Sequence, residues 1–150
     1  MITGMQHVGV CVSNLERSLD FYCNTLGLTK VAEFEAEDEK ITKNILGLEG
    51  AKLKVAMVQH GEASDTTVIE LIQFLTPLGK SFPSDFQYNN VGVTHIAFKV
   101  NEIEKLYQDL VSKGVRFNSP PQSLGTKELG LIKAVYFKDP DGITLEFMEF

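Results

Sequence analysis

The chain has 150 residues, and its fourteen Lys and Arg stand against twenty Asp and Glu, a formal charge of −6 at pH 7. Apolar residues at 43% and charged residues at 23% are ordinary globular usage and argue against a disordered chain. No run approaches the roughly eighteen apolar residues of a membrane span, and the acidic balance without a basic block argues against nucleic-acid binding.

Met1-Ile2-Thr3-Gly4 opens without a basic segment leading into an apolar stretch, so no signal peptide and a cytoplasmic location are expected. Met5 to Val12 reads as a strand. Ser13 and Glu16 have capping-box spacing, predicting a helix that runs to about Leu26 and ends at Gly27. Strands follow near Thr29–Ala36, Leu53–Gln59 and Thr66–Leu75. The stretch from Glu37 to Gly50 reads either as a short helix carrying Ile41, Ile45 and Leu46 or as a mobile lid. Pro77 to Asn90 is too polar and broken for a core element and reads as a hinge. A second strand-helix pair begins at His95, with Asn101 and Glu104 at capping spacing. Ile103, Leu106, Tyr107, Leu110 and Val111 give that helix one apolar face, and Gly114 ends it. Strands are predicted near Val115–Asn118, Ile132–Lys138 and Ile143–Phe150, with Asp139-Pro140-Asp141-Gly142 as the turn between the last two. Cys11 and Cys23 fit neither a disulfide framework nor a zinc-finger spacing and read as reduced thiols.

The chain repeats itself. The segment starting at His7 parallels the one starting at His95, each reaching Val five residues on, then a capping residue, an aliphatic residue, Glu and a base. Ile69-Glu70-Leu71 parallels Leu145-Glu146-Phe147. The expected fold is α+β: two βαβββ modules in tandem, forming a curled mixed sheet around a central cup. The expected organisation is one domain over 1–150, with module 1 about 4–76, the hinge at 77–90 and module 2 about 91–150.

Strand alternation assigns the faces. Val8, Val10 and Val12 face a covering helix, leaving His7, Gly9 and Cys11 on the other side. Ile96, Phe98 and Val100 repeat the pattern, leaving His95, Ala97 and Lys99. Glu70 shares a face with Ile72 and Phe74, and Glu146 with Met148 and Phe150. If each sheet curls with its helix outside, two His and two Glu enter one cup. Two buried carboxylates resist ionisation together, and a divalent cation relieves that penalty. Imidazole and carboxylate suit Zn, Ni, Co, Mn or Fe(II). A single strand His or Glu is more often structural, so the weight lies on the repeated placement.

The chain resembles the vicinal oxygen chelate superfamily, which includes glyoxalase I, methylmalonyl-CoA epimerase, extradiol dioxygenases and bleomycin-resistance proteins. The carriers are His7-Val8-Gly9-Val10, Leu19-Asp20-Phe21-Tyr22, Leu26-Gly27-Leu28, Thr94-His95-Ile96-Ala97-Phe98, and Tyr136 through Glu146. The resemblance implies a metal ligand set at His7, Glu70, His95 and Glu146, most like bacterial glyoxalase I. It implies a small substrate bound through two neighbouring oxygens and a proton moved through an enediolate or enolate. Glu146 would act as ligand and base, and Glu70 as ligand and second base. A homodimer is expected, because exposed edge strands need covering. Arg17 and Arg116 are the only arginines, so no arginine cluster suited to glutathione carboxylates is evident.

Two alternatives stand beside this reading. An extradiol-type dioxygenase needs two His and one carboxylate, and Glu70 as a fourth ligand argues against it. A metal-free drug-binding or resistance protein needs aromatic walls, and the chain has no Trp.

Overall fold

In the computed structural model, which describes residues 1–61, 67–127 and 130–150, the N-terminal alternating segment forms β1 (His7–Cys11). Helix α1 (Leu15–Leu19) follows and widens into π-helical turns over Asp20–Thr25. Gly27 ends it at φ +81°, a left-handed conformation open to glycine. Then come β2 (Thr29–Ala36), β3 (Lys52–Gln59) and β4 (Val68–Thr76). Thr66, expected to open the last of these, lies outside the described residues. The sheet order is β1-β4-β3-β2, with β1 parallel to β4 and the other pairs antiparallel. These elements belong to a first unit, Met1–Ser81.

The second unit, Phe82–Phe150, contains β5 (Ile96–Lys99), α2 (Ile103–Ser112), β6 (Arg116–Phe117), β7 (Gln122–Thr126), β8 (Gly130–Lys138) and β9 (Thr144–Glu149). β5 runs parallel to β9, and the order is β5-β9-β8-β6, with β7 also paired to β8. The strand expected near Val115–Asn118 is only Arg116–Phe117, and β7 is a strand that the sequence pattern did not predict. Pro120 and Pro121 lie between them, and proline has no N–H to give a ladder.

Each unit buries apolar side chains on its helix-facing side. In the first, Val10, Leu15, Tyr22, Ala56, Val58 and Leu71 are buried. In the second, Ile103, Leu110, Val135, Phe137, Leu145 and Phe147 are. The stretch left open between Glu37 and Gly50 contains the short helix, at Lys40–Ile45. Its Ile41 packs against Ala36, Ala51, Leu53 and Val55, whereas Ile45 stays exposed. The expected hinge is less polar in practice than in sequence: Phe82, Phe86 and Tyr88 stack in succession at 5.1 and 6.0 Å.

Both helix starts differ from the predicted capping boxes. Asn14, not Ser13, caps α1, its Oδ1 accepting from the Arg17 backbone N–H at 2.9 Å. Ser13 instead accepts from the Arg17 guanidinium. At α2 no side chain of Asn101 caps the helix; Glu104 is drawn to Lys133, and the cap residue is Glu102. The two units share a different device. Gln73 on β4 accepts from the Leu15 N–H at 2.8 Å, and Glu149 on β9 accepts from the Glu102 N–H at 2.6 Å. Gln73 stands three residues after Glu70, as Glu149 does after Glu146. Each closing strand thus reaches back to a helix start, at the first residue of α1 and at the cap residue of α2.

Glu102 pays for that cap with a left-handed backbone, φ 54° and ψ 47°. A side chain there strains the backbone by roughly 1 kcal/mol or more. Glu102→Gly keeps the N–H that Glu149 accepts and removes the strain. Its greater unfolded entropy offsets part of the gain. Denaturant unfolding should show Glu102→Gly stabilised by up to about 1 kcal/mol, and Glu149→Ala destabilised by about 1 kcal/mol.

Candidate functional site

The parallel register of β1 on β4 sets Gly9 opposite Glu70. His7, two residues before Gly9, therefore shares the Glu70 face, and its Nε2 lies 3.6 Å from Glu70 Oε2. The other ring nitrogen, Nδ1, contacts the Gln6 side-chain oxygen. A proton there leaves Nε2 with a lone pair free to accept a proton or a metal. A Cβ at Gly9 would meet Glu70 Oε2 and Ile72 Cδ1 at 3.8 Å, ordinary contact, so the glycine leaves room beside the carboxylate.

The second unit repeats this arrangement more tightly. β5 on β9 sets Ala97 opposite Glu146, and His95 Nε2 lies 3.0 Å from Glu146 Oε2. The Thr94 hydroxyl is 2.8 Å from His95 Nδ1. Tyr136, opposite Glu146 on β8, stacks on the His95 ring at 4.9 Å between centroids. Glu146 is 7% exposed. Burial pushes its carboxyl above the usual range, and His95 opposes that shift only in part. Burial also raises the Tyr136 hydroxyl, reinforced by the nearby Glu146 and Tyr88. This phenol remains a proton donor at neutral pH.

The four predicted ligands thus form two pairs, His7 with Glu70 and His95 with Glu146. Among the described residues no group of three or more His, Cys, Asp or Glu side chains gathers into a metal cluster. Of the apolar residues expected to share a face with the two glutamates, Ile72 and Phe74 pack against the cluster of Ala36, Ala51, Leu53 and Val55. Phe150, assigned to the Glu146 face, is 61% exposed, with the Lys99 ammonium 5.5 Å above its ring. In the sequence Tyr136 and Lys138 stood out only within the Tyr136–Glu146 segment, and Tyr88 and Asn118 had no expected role. The Asn118 amide donates to the Tyr88 hydroxyl at 2.8 Å, and Lys138 donates to the Thr144 hydroxyl at 2.6 Å. No helix among the described residues is long and apolar enough to cross a membrane.

Comparison with known proteins adds family to geometry. The chain is 26% identical to an uncharacterized protein of Bacillus subtilis, over 99% of this chain and 98% of that one. It is 26% identical to the lactoylglutathione lyase of Neisseria meningitidis, covering 95% and 88% of the two chains. It is 25% identical to the mitochondrial methylmalonyl-CoA epimerase of Dictyostelium discoideum, covering 97% and 77%. A glyoxalase family protein from Bacillus cereus has the same fold, with a TM-score of 0.84 over 99% and 95% of the chains at 21% identity. The sequence profile of the glyoxalase/bleomycin resistance protein/dioxygenase superfamily matches residues 4–147, and the chain belongs to that superfamily.

Proposed function

We propose that the chain is a metal-dependent lyase or isomerase of the glyoxalase I type, which takes a small substrate through two neighbouring oxygens and moves a proton on it. His7, Glu70, His95 and Glu146 are its ligand set for one divalent cation, completed within one chain or across a homodimer. The observation that carries this reading is the duplicated pair: the same His–Glu combination in both units, each His at the start of a strand that runs parallel to the Glu strand.

The donor set fits a divalent cation. It offers imidazole nitrogen and carboxylate oxygen, the chemistry that Zn, Ni, Co, Mn and Fe(II) accept. Each pair alone supplies two donors, so neither unit would complete the site by itself. Glu146 is a buried carboxylate with one imidazole beside it, an environment that favours an added positive charge. When bound, the cation supplies Lewis-acid stabilisation of charge developing on the substrate oxygens.

The chain's own groups account for the proton. Burial raises the proton affinity of Glu146, which suits a base that must take a proton near neutral pH. Glu70 is more exposed and stands at the matching position, where it serves as the second base. Tyr136 stacks on His95 and limits the orientations of the ring.

Metal content tests this reading. Wild type, His95→Ala and Glu70→Gln are reconstituted with Zn, Ni, Co or Mn, dialysed, and analysed for bound metal. Wild type should retain stoichiometric metal, and each variant should lose affinity by about tenfold or more. Equal retention in all three, or none in wild type, overturns the proposed ligand set.

A further inference from the structure

On the face of the second sheet that carries His95 and Glu146, positive charge gathers beside that pair. Arg116 on β6 stands directly opposite Lys138 on β8. Directly opposed residues share a face, with Cβ atoms roughly 5 Å apart, and like charges so placed repel. The neighbouring pair, Phe117 and Phe137, stacks at 5.3 Å and continues to Tyr107 of α2 at 4.8 Å. Those rings occupy the helix side, so Arg116 and Lys138 take the other. Tyr136, two residues before Lys138, is opposite Glu146 and therefore shares the same face.

Among the described residues no carboxylate pairs with either cation. Lys52, Lys54 and Lys133 each reach a glutamate. Among the described residues Lys138 meets neutral groups: the Thr144 and Tyr88 hydroxyls and the Tyr88 ring, 5.2 Å from the ammonium. Burial pushes the Tyr88 hydroxyl up, but bonds from Thr144 and Asn118 and the Lys138 charge outweigh it and leave the net shift downward. The local field therefore favours negative charge. Thr144 is buried and holds the Lys138 ammonium, and Asn118 holds the Tyr88 hydroxyl. A chain of net charge −6 thus sets two cations side by side, without a carboxylate partner among the described residues, and braces one of them.

We propose that Arg116 and Lys138, with Asn118 and the Tyr88 hydroxyl, form an oxyanion-binding site for a carboxylate or phosphate group of the substrate. The guanidinium offers a fork of N–H donors to two oxygens, and the ammonium adds a point charge. An oxyanion between them relieves the repulsion that the strand register imposes. The role of this site in turnover rests on the proposed lyase or isomerase reading. Anion binding itself does not.

The test is an NMR titration of isotopically labelled, metal-free protein at low ionic strength with succinate, phosphate and neutral succinamide. Succinate or phosphate should give saturable shifts at Arg116, Asn118, Lys138 and Tyr88, and the tighter of the two identifies the group. Succinamide should not. Arg116→Gln and Lys138→Gln should each weaken binding by about tenfold. Lys99→Gln, at the far end of the same face, should stay within about twofold. Arg116 is exposed, so its variant carries the test even if Lys138→Gln fails to fold. Equal shifts with succinamide, wild-type binding by Arg116→Gln, or equal weakening by Lys99→Gln each overturn the site. Metal retention measured on the same samples separates the two ideas. Metal binding without anion binding removes only this site, and the converse removes only the metal reading.

Discussion

On the proposed reading, Glu146→Gln should lower turnover by about 10²–10⁴-fold, the range for loss of a positioned general base, while the metal-free protein becomes more stable. The two effects have one cause. In the folded protein Glu146 is buried, and its carboxyl is pushed up by that burial despite His95 at 3.0 Å. An ionised carboxylate there is held against its solvation preference. Glutamine has nearly the same shape and can still bond to His95, but carries no charge. The metal-free variant should therefore show a higher thermal midpoint at neutral pH. Turnover falls because the amide can neither take a proton nor offer an anionic ligand. The assay is conversion of the thiohemiacetal of a 2-oxoaldehyde and glutathione by metal-loaded protein, beside calorimetry of metal-free protein. Unchanged turnover would remove Glu146 from the chemistry. A lowered midpoint would show that the carboxylate stabilises the fold, contrary to its burial.

Much of this arrangement was legible because it is periodic. The alternation around His7 and His95 set each histidine on the side away from its helix; His7 opens β1, and His95 lies one residue before β5 with its ring against Glu146. The repeated Ile-Glu-Leu and Leu-Glu-Phe segments located Glu70 and Glu146 on strands that run parallel to the His strands. What was missed depends on long-range contacts. The helix caps moved because Gln73 and Glu149 reach in from strands far along the chain, and Lys133 engages the Glu104 expected to cap α2. Pro120 and Pro121 were visible in sequence, but the break they make between β6 and β7 needed the pairing partner β8 to define it. Tyr88 was hidden in a segment read as polar connection, although its neighbours Phe82 and Phe86 marked an aromatic path. Lys138 was readable in principle. Its spacing of two from Tyr136 assigns it to the Glu146 face, yet no local motif says that Arg116 will stand opposite.

Phe137→Ala should cost about 3–5 kcal/mol, among the largest losses from a single substitution in the second unit. Phe137 is fully buried between Phe147 at 4.3 Å and Phe117 at 5.3 Å. Phe117 continues to Tyr107 on α2, and Phe147 to Phe98 on β5 at 6.3 Å. Removing the middle ring leaves a cavity on both sides and ends the stacking, worth about 0.5–1.5 kcal/mol per pair. For a chain of this length the thermal midpoint should fall by roughly 2–4 °C per kcal/mol. Phe150→Ala provides the contrast: the residue is 61% exposed, so its loss should stay below about 1 kcal/mol. The shape of the transition carries further meaning. If 1–150 unfolds as one domain, Phe137→Ala shifts a single cooperative transition in both fluorescence and circular dichroism. If the units Met1–Ser81 and Phe82–Phe150 unfold separately, the curve divides and only the second unit's transition moves. If the proposed ligand set draws a His–Glu pair from each unit, it needs both folded at once. On that reading a single transition is the expected result, and a divided curve would show that the two units are stable independently of one another.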